Sequence, residues 1–298
     1  ENLAITNMVT AKDTAFYIFT SGTTGVPKAA LFPNSKIIAA SINISKGGYR
    51  INDSDCMYNC LPLYHSTGLM LGLCACVQVG AATFIRRKFS ASAFWKEAKQ
   101  FNTTAFVYVG ELCRYLSFQD PSEEEKDNPI SSMVGNGLRP DLWDCFRNRF
   151  NVERIVEIYG ASEGNALFMN LLNKDETIGM TNARVALFEY DVAEDKLVKD
   201  TESKFIEVGE GQPGLLLVEI GPDAIYNGYT DKKASEEKVI SNVFEEGDRW
   251  FNTGDLVKTM DVGFSLGRAH YQFVDRVGDT FRWKSENVST NEVAEILN

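Results

Sequence analysis

Residues 17–32 read YIFTSGTTGVPKAALF: an apolar run, a loop of hydroxyls and glycines, and a second apolar run. Phe16 to Phe19 have the aromatic and β-branched character of a buried strand, and Ala29 to Phe32 read as a short strand after the loop. A helix is expected to begin at Asn34 or Ser35, either of which could cap it. Between the strands, Gly22 and Gly25 let the backbone turn and expose N–H groups. Thr20, Ser21, Thr23 and Thr24 add hydroxyl donors, and Lys28 adds a positive charge. A generic Gly/Ser/Thr loop is most simply a polar turn. Here the density of donors and the placed lysine describe a phosphate cradle instead. It is not a Walker A loop, because Pro27 separates Gly25 from Lys28 and Ala29 follows the lysine. Any phosphate would therefore be held between strands, by hydroxyls and backbone.

Outward from this loop, composition narrows the function classes. A chain of 298 residues with 44% hydrophobic content can bury a substantial core. A net charge of −11 argues against a partner gripped through nucleic-acid phosphates. Cys56, Cys60, Cys74, Cys76, Cys113 and Cys145 form no Cys-x-x-Cys pair. They read as small core residues in a reducing compartment, the cytoplasm, and not as a zinc site. The N-terminus has no basic, signal-like region. Ser66 to Ile85 is uncharged, but its polar residues and glycines favour a buried helix and a buried strand over a membrane span.

Strand-like and helical stretches alternate through residues 1–182: strands at 82–85, 104–109, 131–134 and 154–159, helices at 91–100, 111–117 and 142–150. That pattern predicts an α/β fold with a parallel sheet. Asp120 to Pro129 reads as a solvated acidic turn. Residues 183–274 read as mostly antiparallel and barrel-like. Tyr271 to Ser289 reads as a further strand-like unit, and Glu292 to Leu297 as the first turns of a helix.

Two motifs compete for the chemistry. Gly209 to Gly214 fits G-x-G-x-x-G, but a strand follows it instead of a helix, so it reads as a turn. Gly160-Ala161-Ser162-Glu163-Gly164 fits the nucleophile elbow of a serine hydrolase, with Asp255 and His270 downstream as acid and base. A second reading joins this motif to the hydroxyl loop, placing both at strand ends of one parallel sheet, where such sheets bind ligands. Tyr159 would then stack on a base, Ser162 donate to a phosphate and Glu163 hold magnesium, which takes a carboxylate plus phosphate oxygens. Asp255, in Asn252-Thr253-Gly254-Asp255, could accept from both ribose hydroxyls.

Taken together, YIFTSGTTGVPKAALF, IYGASEG, WFNTGDL and DRVGDTFRWKSENVSTNEV resemble the adenylate-forming superfamily of acyl-CoA synthetases, luciferases and nonribosomal adenylation domains. FRWKSENVST and GNGLRPDLW resemble its fatty acid transport protein branch, the very-long-chain acyl-CoA synthetases. The resemblance spans essentially the whole chain. It implies ATP- and magnesium-dependent ligation of a fatty acid to CoA through an acyl-adenylate. It also implies site roles. Thr20, Ser21, Gly22, Thr23, Thr24, Gly25 and Lys28 would hold the leaving pyrophosphate. Asn136 and Gly137 would line the adenine pocket, with Tyr159 and Gly160 beside the ring. Ser162 would meet the α-phosphate, Glu163 the metal, Asp255 the ribose, and Arg276 the ribose or phosphate. His65, in PLYHSTGL, matches a position beside the acyl site, as either a structural residue or a catalytic one.

Residues 1–182 would be the ATP-binding subdomain, 183–274 a β-rich subdomain, and 275–298 the hinge and start of a lid domain. The adenylating lysine would lie beyond Asn298; Lys284 is not that lysine. Three positions depart from the usual pattern: Ser162 where Thr is common, Ser285 where Gly is common, and Gly278 at the hinge. Membrane association would reside outside this stretch. A serine hydrolase using Ser162 and a non-catalytic nucleotide-binding module stand as the alternatives.

Overall fold

The computed structural model describes residues 6, 8–20, 28–160, 165–192, 194–221, 224, 226, 232–277, 281–283 and 286–288. The chain divides into two compact units, Glu1–Glu157 and Ile158–Asn298. The first opens on a hairpin of β1 (Thr14–Thr20) and β2 (Lys28–Pro33), with Thr20 opposite Lys28 at its mouth. Among the described residues this hairpin is a separate two-stranded antiparallel sheet. The expectation that the hydroxyl loop ends a strand of the parallel sheet is therefore corrected. So is the reading of Phe16 to Phe19 as buried: Ile18 is in the core, but Tyr17 and Phe19, on the opposite face, are 63% and 68% exposed. An antiparallel hairpin can bury one face and leave the other in solvent, whereas a parallel strand is covered on both.

Helix α1 (Asn34–Ile42) starts where expected, but neither Asn34 nor Ser35 caps it through its side chain. Their main-chain N–H groups donate instead to the carbonyls of Asp13 and Ala11, and those bonds satisfy two of the otherwise orphaned donors of the first turn.

Five strands form the parallel sheet: β3 (Cys56–Asn59), β4 (Ala82–Ile85), β5 (Ala105–Val109), β6 (Ser132–Asn136) and β7 (Arg154–Tyr159), in the order β4-β3-β5-β6-β7. A wide helical turn, Thr67–Cys74, leads into α2 (Ala75–Val79) and then β4. The predicted helix-then-strand is present, but β4 is an edge strand and half exposed, not buried. Helices α3 (Ala91–Gln100) and α4 (Gly110–Ser117) follow their predicted spans. The short α5 (Glu123–Lys126) occupies the acidic loop. That loop is not simply solvated, because Glu125 is buried and bonds Arg149 at 3.0 Å, and Arg149 also donates to the carbonyls of Ser117 and Gln119. Tyr58, Phe94, Phe106, Phe146, Phe150 and Ile155 fill the core beneath.

In the second unit, the last two residues of β7 pair antiparallel with β8 (Phe168–Met169). Strands β9 (Val185–Phe188), β10 (Tyr190–Asp191), β11 (Lys196–Leu197) and β12 (Gly214–Glu219) follow, with β10 and β11 a charged hairpin. After α6 (Lys232–Glu236) come β13 (Val239–Ser241), β14 (Arg249–Met260) and β15 (His270–Arg276). These build an antiparallel sheet, β13-β14-β12-β9, with β15 paired to the later half of β14. A last hairpin joins β16 (Phe281–Trp283) and β17 (Glu286–Val288). The α/β parallel sheet followed by antiparallel β-structure is thus as read from the sequence. The helix expected at Glu292 to Leu297 lies outside the described residues. Gly209 to Gly214 is a turn feeding β12, as expected. No group of three or more metal-ligating side chains occurs among the described residues, and no helix there is long and apolar enough to cross a membrane.

His270 is fully enclosed, with Nδ1 at 3.3 Å from the Arg268 carbonyl and no partner for Nε2 among the described residues. Burial, with Lys174 nearby, lowers its pKa below the ordinary 6.5. The unfolded chain then binds a proton that the folded chain resists. This stability is fully present above about pH 6.5 and is lost as pH falls toward the folded value. Urea midpoints at pH 7.5 and 5.5 should therefore differ less in His270→Gln than in the wild type. Equal differences would show that His270 does not contribute.

Candidate active site

In the first unit, the carboxyl ends of β3, β5 and β6 carry Asn59, Gly110 and Asn136. Loops leaving this end of a parallel sheet are where ligands bind. Asn59 is fully buried; its Nδ2 donates to the Gly68 carbonyl at 2.9 Å, and its Oδ1 accepts from Leu61 N–H at 3.1 Å. The loop that carries exposed His65 is pinned at both ends by this one side chain. Thr67 N–H donates to His65 Nδ1 at 3.3 Å, so the free imidazole proton sits on Nε2. The Thr67 hydroxyl donates to Asn136 Oδ1 at 3.4 Å. His65 and Asn136, predicted from separate motifs, are thereby brought into one neighbourhood.

The turn after β6 is built from Asn136, Gly137 and Leu138. Gly137 has φ +81°, a conformation that favours glycine. Asn136 and Gly137 are exposed, and Leu138 is buried. Beneath the turn lies Glu157, only 3% exposed. Its Oε1 accepts from the N–H groups of Gly137 and Leu138, the latter at 3.1 Å, and its Oε2 accepts from the Tyr108 hydroxyl. Burial pushes the Glu157 carboxyl up to about 8, against the lowering effect of these three donors.

In the second unit, Tyr159, Asp255 and Arg276 converge. The Tyr159 hydroxyl donates to Asp255 Oδ2 at 2.6 Å, and Arg276 Nε lies 3.5 Å from Asp255 Oδ1. Asp255 is 7% exposed, whereas the Arg276 side chain is 73% exposed. The sequence places them so because β14 carries a bulge opposite Leu215 and Leu217, with Gly254 at φ +74°. Bulges re-aim a side chain out of the regular alternation. Thr253 anchors the bend, its hydroxyl donating to Leu216 carbonyl at 2.9 Å and accepting from Asp255 N–H at 3.1 Å. The Tyr159 ring rests edge-on against Phe168, at 5.4 Å between centroids. Burial and the neighbouring Asp255 carboxylate hold its phenol far above the ordinary range, so it stays a donor.

Thr20 and Lys28 face each other across the hairpin mouth. Ser21, Gly22, Thr23, Thr24 and Gly25, together with Ser162 and Glu163, lie outside the described residues, as do Gly278, Lys284 and Ser285. The acid and base of the hydrolase alternative are not brought together. Along the β14–β15 ladder Asp255 pairs with Arg276 and His270 with Met260. Five residues of strand separate the two positions, about 17 Å.

Asn59, Thr67, Tyr108 and Glu157 were not singled out by sequence reasoning. Their signal was present but faint: each is a polar residue within or beside an apolar stretch, where an unpaired polar group is costly.

Comparison with known proteins follows the same lines. The family described as AMP-binding enzyme matches residues 2–230. The medium/long-chain-fatty-acid–CoA ligase FadD6 of Mycobacterium tuberculosis is 44% identical over 99% of this chain and 49% of its own. Long-chain fatty acid transport protein 6 of Mus musculus is 42% identical over 96% of this chain and 46% of its own. The chain thus spans about half the length of the curated relatives it matches. In architecture it is similar to ATP-bound MatB from Rhodopseudomonas palustris, with a TM-score of 0.71, 20% identity, and coverage of 96% of this chain and 52% of that one. It is also similar to O-succinylbenzoate coenzyme A synthetase from Bacillus subtilis in complex with ATP and magnesium, with a TM-score of 0.67, 20% identity, and coverage of 97% and 55%.

Proposed function

Because this chain belongs to the AMP-binding enzyme family, we propose that it is part of an ATP-dependent ligase that joins a long- or very-long-chain fatty acid to CoA. The observation that carries the reading is the Tyr159–Asp255–Arg276 cluster, in which three motif residues from separate stretches meet in one place. The named activity of the 44% identical relative supports the fatty-acid substrate.

In this reading the fatty carboxylate attacks the α-phosphate of ATP and pyrophosphate leaves. The CoA thiol then attacks the acyl carbonyl and AMP leaves. Thr20 to Lys28 would take the pyrophosphate, with fixed donors where negative charge develops. Asn136, Gly137 and Tyr159 with Gly160 would hold adenine, Asp255 and Arg276 the ribose, and Ser162 the α-phosphate. Glu163 would offer a carboxylate to magnesium, which supplies charge neutralisation on the phosphates when bound. His65, with its Nε2–H turned away from Thr67, would sit at the acyl side. Residues 1–182 would form the ATP-binding subdomain and 183–274 the β-rich one, with 275–298 leading into a lid. We place the enzyme in the cytoplasm, with any membrane association contributed by segments outside this chain.

Pyrophosphate release by the full-length protein, measured across carboxylic acids of graded length, tests the reading. Release should depend on the acid and rise toward long chains, with acyl-CoA formed in step. Release independent of any fatty acid would overturn it. Fluorophosphonate should leave Ser162 unlabelled; covalent labelling would restore the hydrolase.

A further inference from the structure

A carboxyl in the middle of a parallel strand is a costly choice. Neighbouring positions of β7 hold Ile155 and Val156, both fully buried, and an apolar residue at Glu157 would avoid the desolvation of a polar group. The titratable groups that face Glu157 are the Tyr108 phenol of β5 and the Cys113 thiol of α4, with the Tyr49 phenol beyond Tyr108. Burial keeps all three protonated. What the carboxyl obtains is two main-chain N–H groups on a single oxygen. Those donors belong to Gly137 and Leu138, in a turn with Gly137 in the left-handed region, and among the described residues the β5–β6 ladder ends before them, at Asn136. The turn's exposed residues are Asn136 and Gly137. Asn136 is approached from the other side by the Thr67 hydroxyl.

We propose that Glu157 is a positioning residue for the purine of the nucleotide: its carboxyl fixes the Asn136–Leu138 turn from beneath, so that the exposed edge of the turn keeps the shape that receives the base. This rests on the nucleotide reading above and adds a residue that never touches the ligand. Losing the carboxyl leaves the N–H groups of Gly137 and Leu138, the second of them buried, without this acceptor, and the turn must rearrange to satisfy them. The phosphates of the same ligand are assigned to the Thr20–Lys28 hairpin, which makes no described hydrogen bond to Glu157. The effect should therefore fall on the base and spare the phosphate tail.

The test uses the full-length protein. ATP and tripolyphosphate are each titrated calorimetrically into wild type, Glu157→Ala, Glu157→Asp and Glu157→Gln. Glu157→Ala should weaken ATP by about tenfold or more, and tripolyphosphate by less than about twofold. Glu157→Asp, shorter by one methylene, should weaken ATP several-fold with the same selectivity. Glu157→Gln still offers an oxygen to both N–H groups and should stay within about threefold of wild type. Equal losses for the two ligands, or no loss of ATP binding in the alanine and aspartate variants, would overturn the inference. If Glu157→Ala does not fold, the aspartate variant decides by the same criterion. Wild-type protein that binds tripolyphosphate but not ATP would overturn the nucleotide reading itself, before any substitution is made.

Discussion

Asp255→Ala should weaken ATP binding ten- to hundred-fold and leave tripolyphosphate binding close to wild type. Asp255 is nearly enclosed and its two oxygens face different partners, the Tyr159 hydroxyl at 2.6 Å and Arg276 Nε at 3.5 Å. A hydrogen bond to a charged group is worth about 1.5–3 kcal/mol, which is roughly one to two decades in affinity. Removing the carboxylate deletes the proposed acceptor for the ribose hydroxyls. It also removes the acceptor that holds the Tyr159 hydroxyl proton. Tripolyphosphate has neither ribose nor base, so it reports only on the proposed phosphate loop. Tyr159→Phe separates the two effects, because it keeps the ring and the carboxylate and removes the hydroxyl that donates to Asp255; its loss should be smaller. Calorimetric titration of both ligands into both variants measures this directly. A matched loss for ATP and tripolyphosphate in Asp255→Ala would assign Asp255 to the fold of the β14 bulge and not to the ribose.

Gly110→Ala should destabilise the protein by about 3 kcal/mol or more, the upper end of what overpacking costs. Two effects oppose each other here. Gly110 opens α4, and replacing a helical glycine by alanine gains roughly 0.5–1 kcal/mol from backbone entropy. Against this, a Cβ at Gly110 would sit 1.6 Å from the Gly137 carbonyl oxygen and 2.4 Å from its carbon. Those atoms are backbone, so no side-chain rotation relieves the clash. The turn cannot retreat easily either, because Glu157 holds the N–H groups of Gly137 and Leu138. Sterics should therefore win over propensity by a wide margin. The urea midpoint should drop with little change in slope, and ATP affinity should fall with it. A variant as stable as wild type would mean that β5 and the Asn136–Leu138 turn do not approach so closely.

The residues proposed for the site were legible in the sequence where one short stretch of chain carries the motif. The hydroxyl loop, the Tyr159 strand end and the Asn252–Asp255 turn each announced themselves, because their chemistry depends on residue type and near-neighbour spacing. The α/β alternation was legible for the same reason: a helix repeats every 3.6 residues and a strand every two, and both periods are local. The spans of α3 and of β7 came out as read. Sheet membership was not local. Phe16 to Phe19 reads as a buried strand by composition, yet composition does not say which strand it pairs with or how many of its faces are covered. Among the described residues its strand pairs with Lys28–Pro33, and Tyr17 and Phe19 are left exposed.

What only the tertiary structure decided is how the motif residues are held. Glu157 is a single acid inside an apolar strand until β5 and β6 bring Tyr108, Gly137 and Leu138 to it. Asn59 and Thr67 are ordinary polar residues until the loop bearing His65 folds back over them. Asp255 and His270 stand in the order of a hydrolase, and only the β14–β15 register separates them. The sequence by itself determined which side chains are available for chemistry, because identity and local period are written in it. Their partners were set by the pairing of strands distant in sequence, and a hydrogen bond formed across such a distance leaves no local trace.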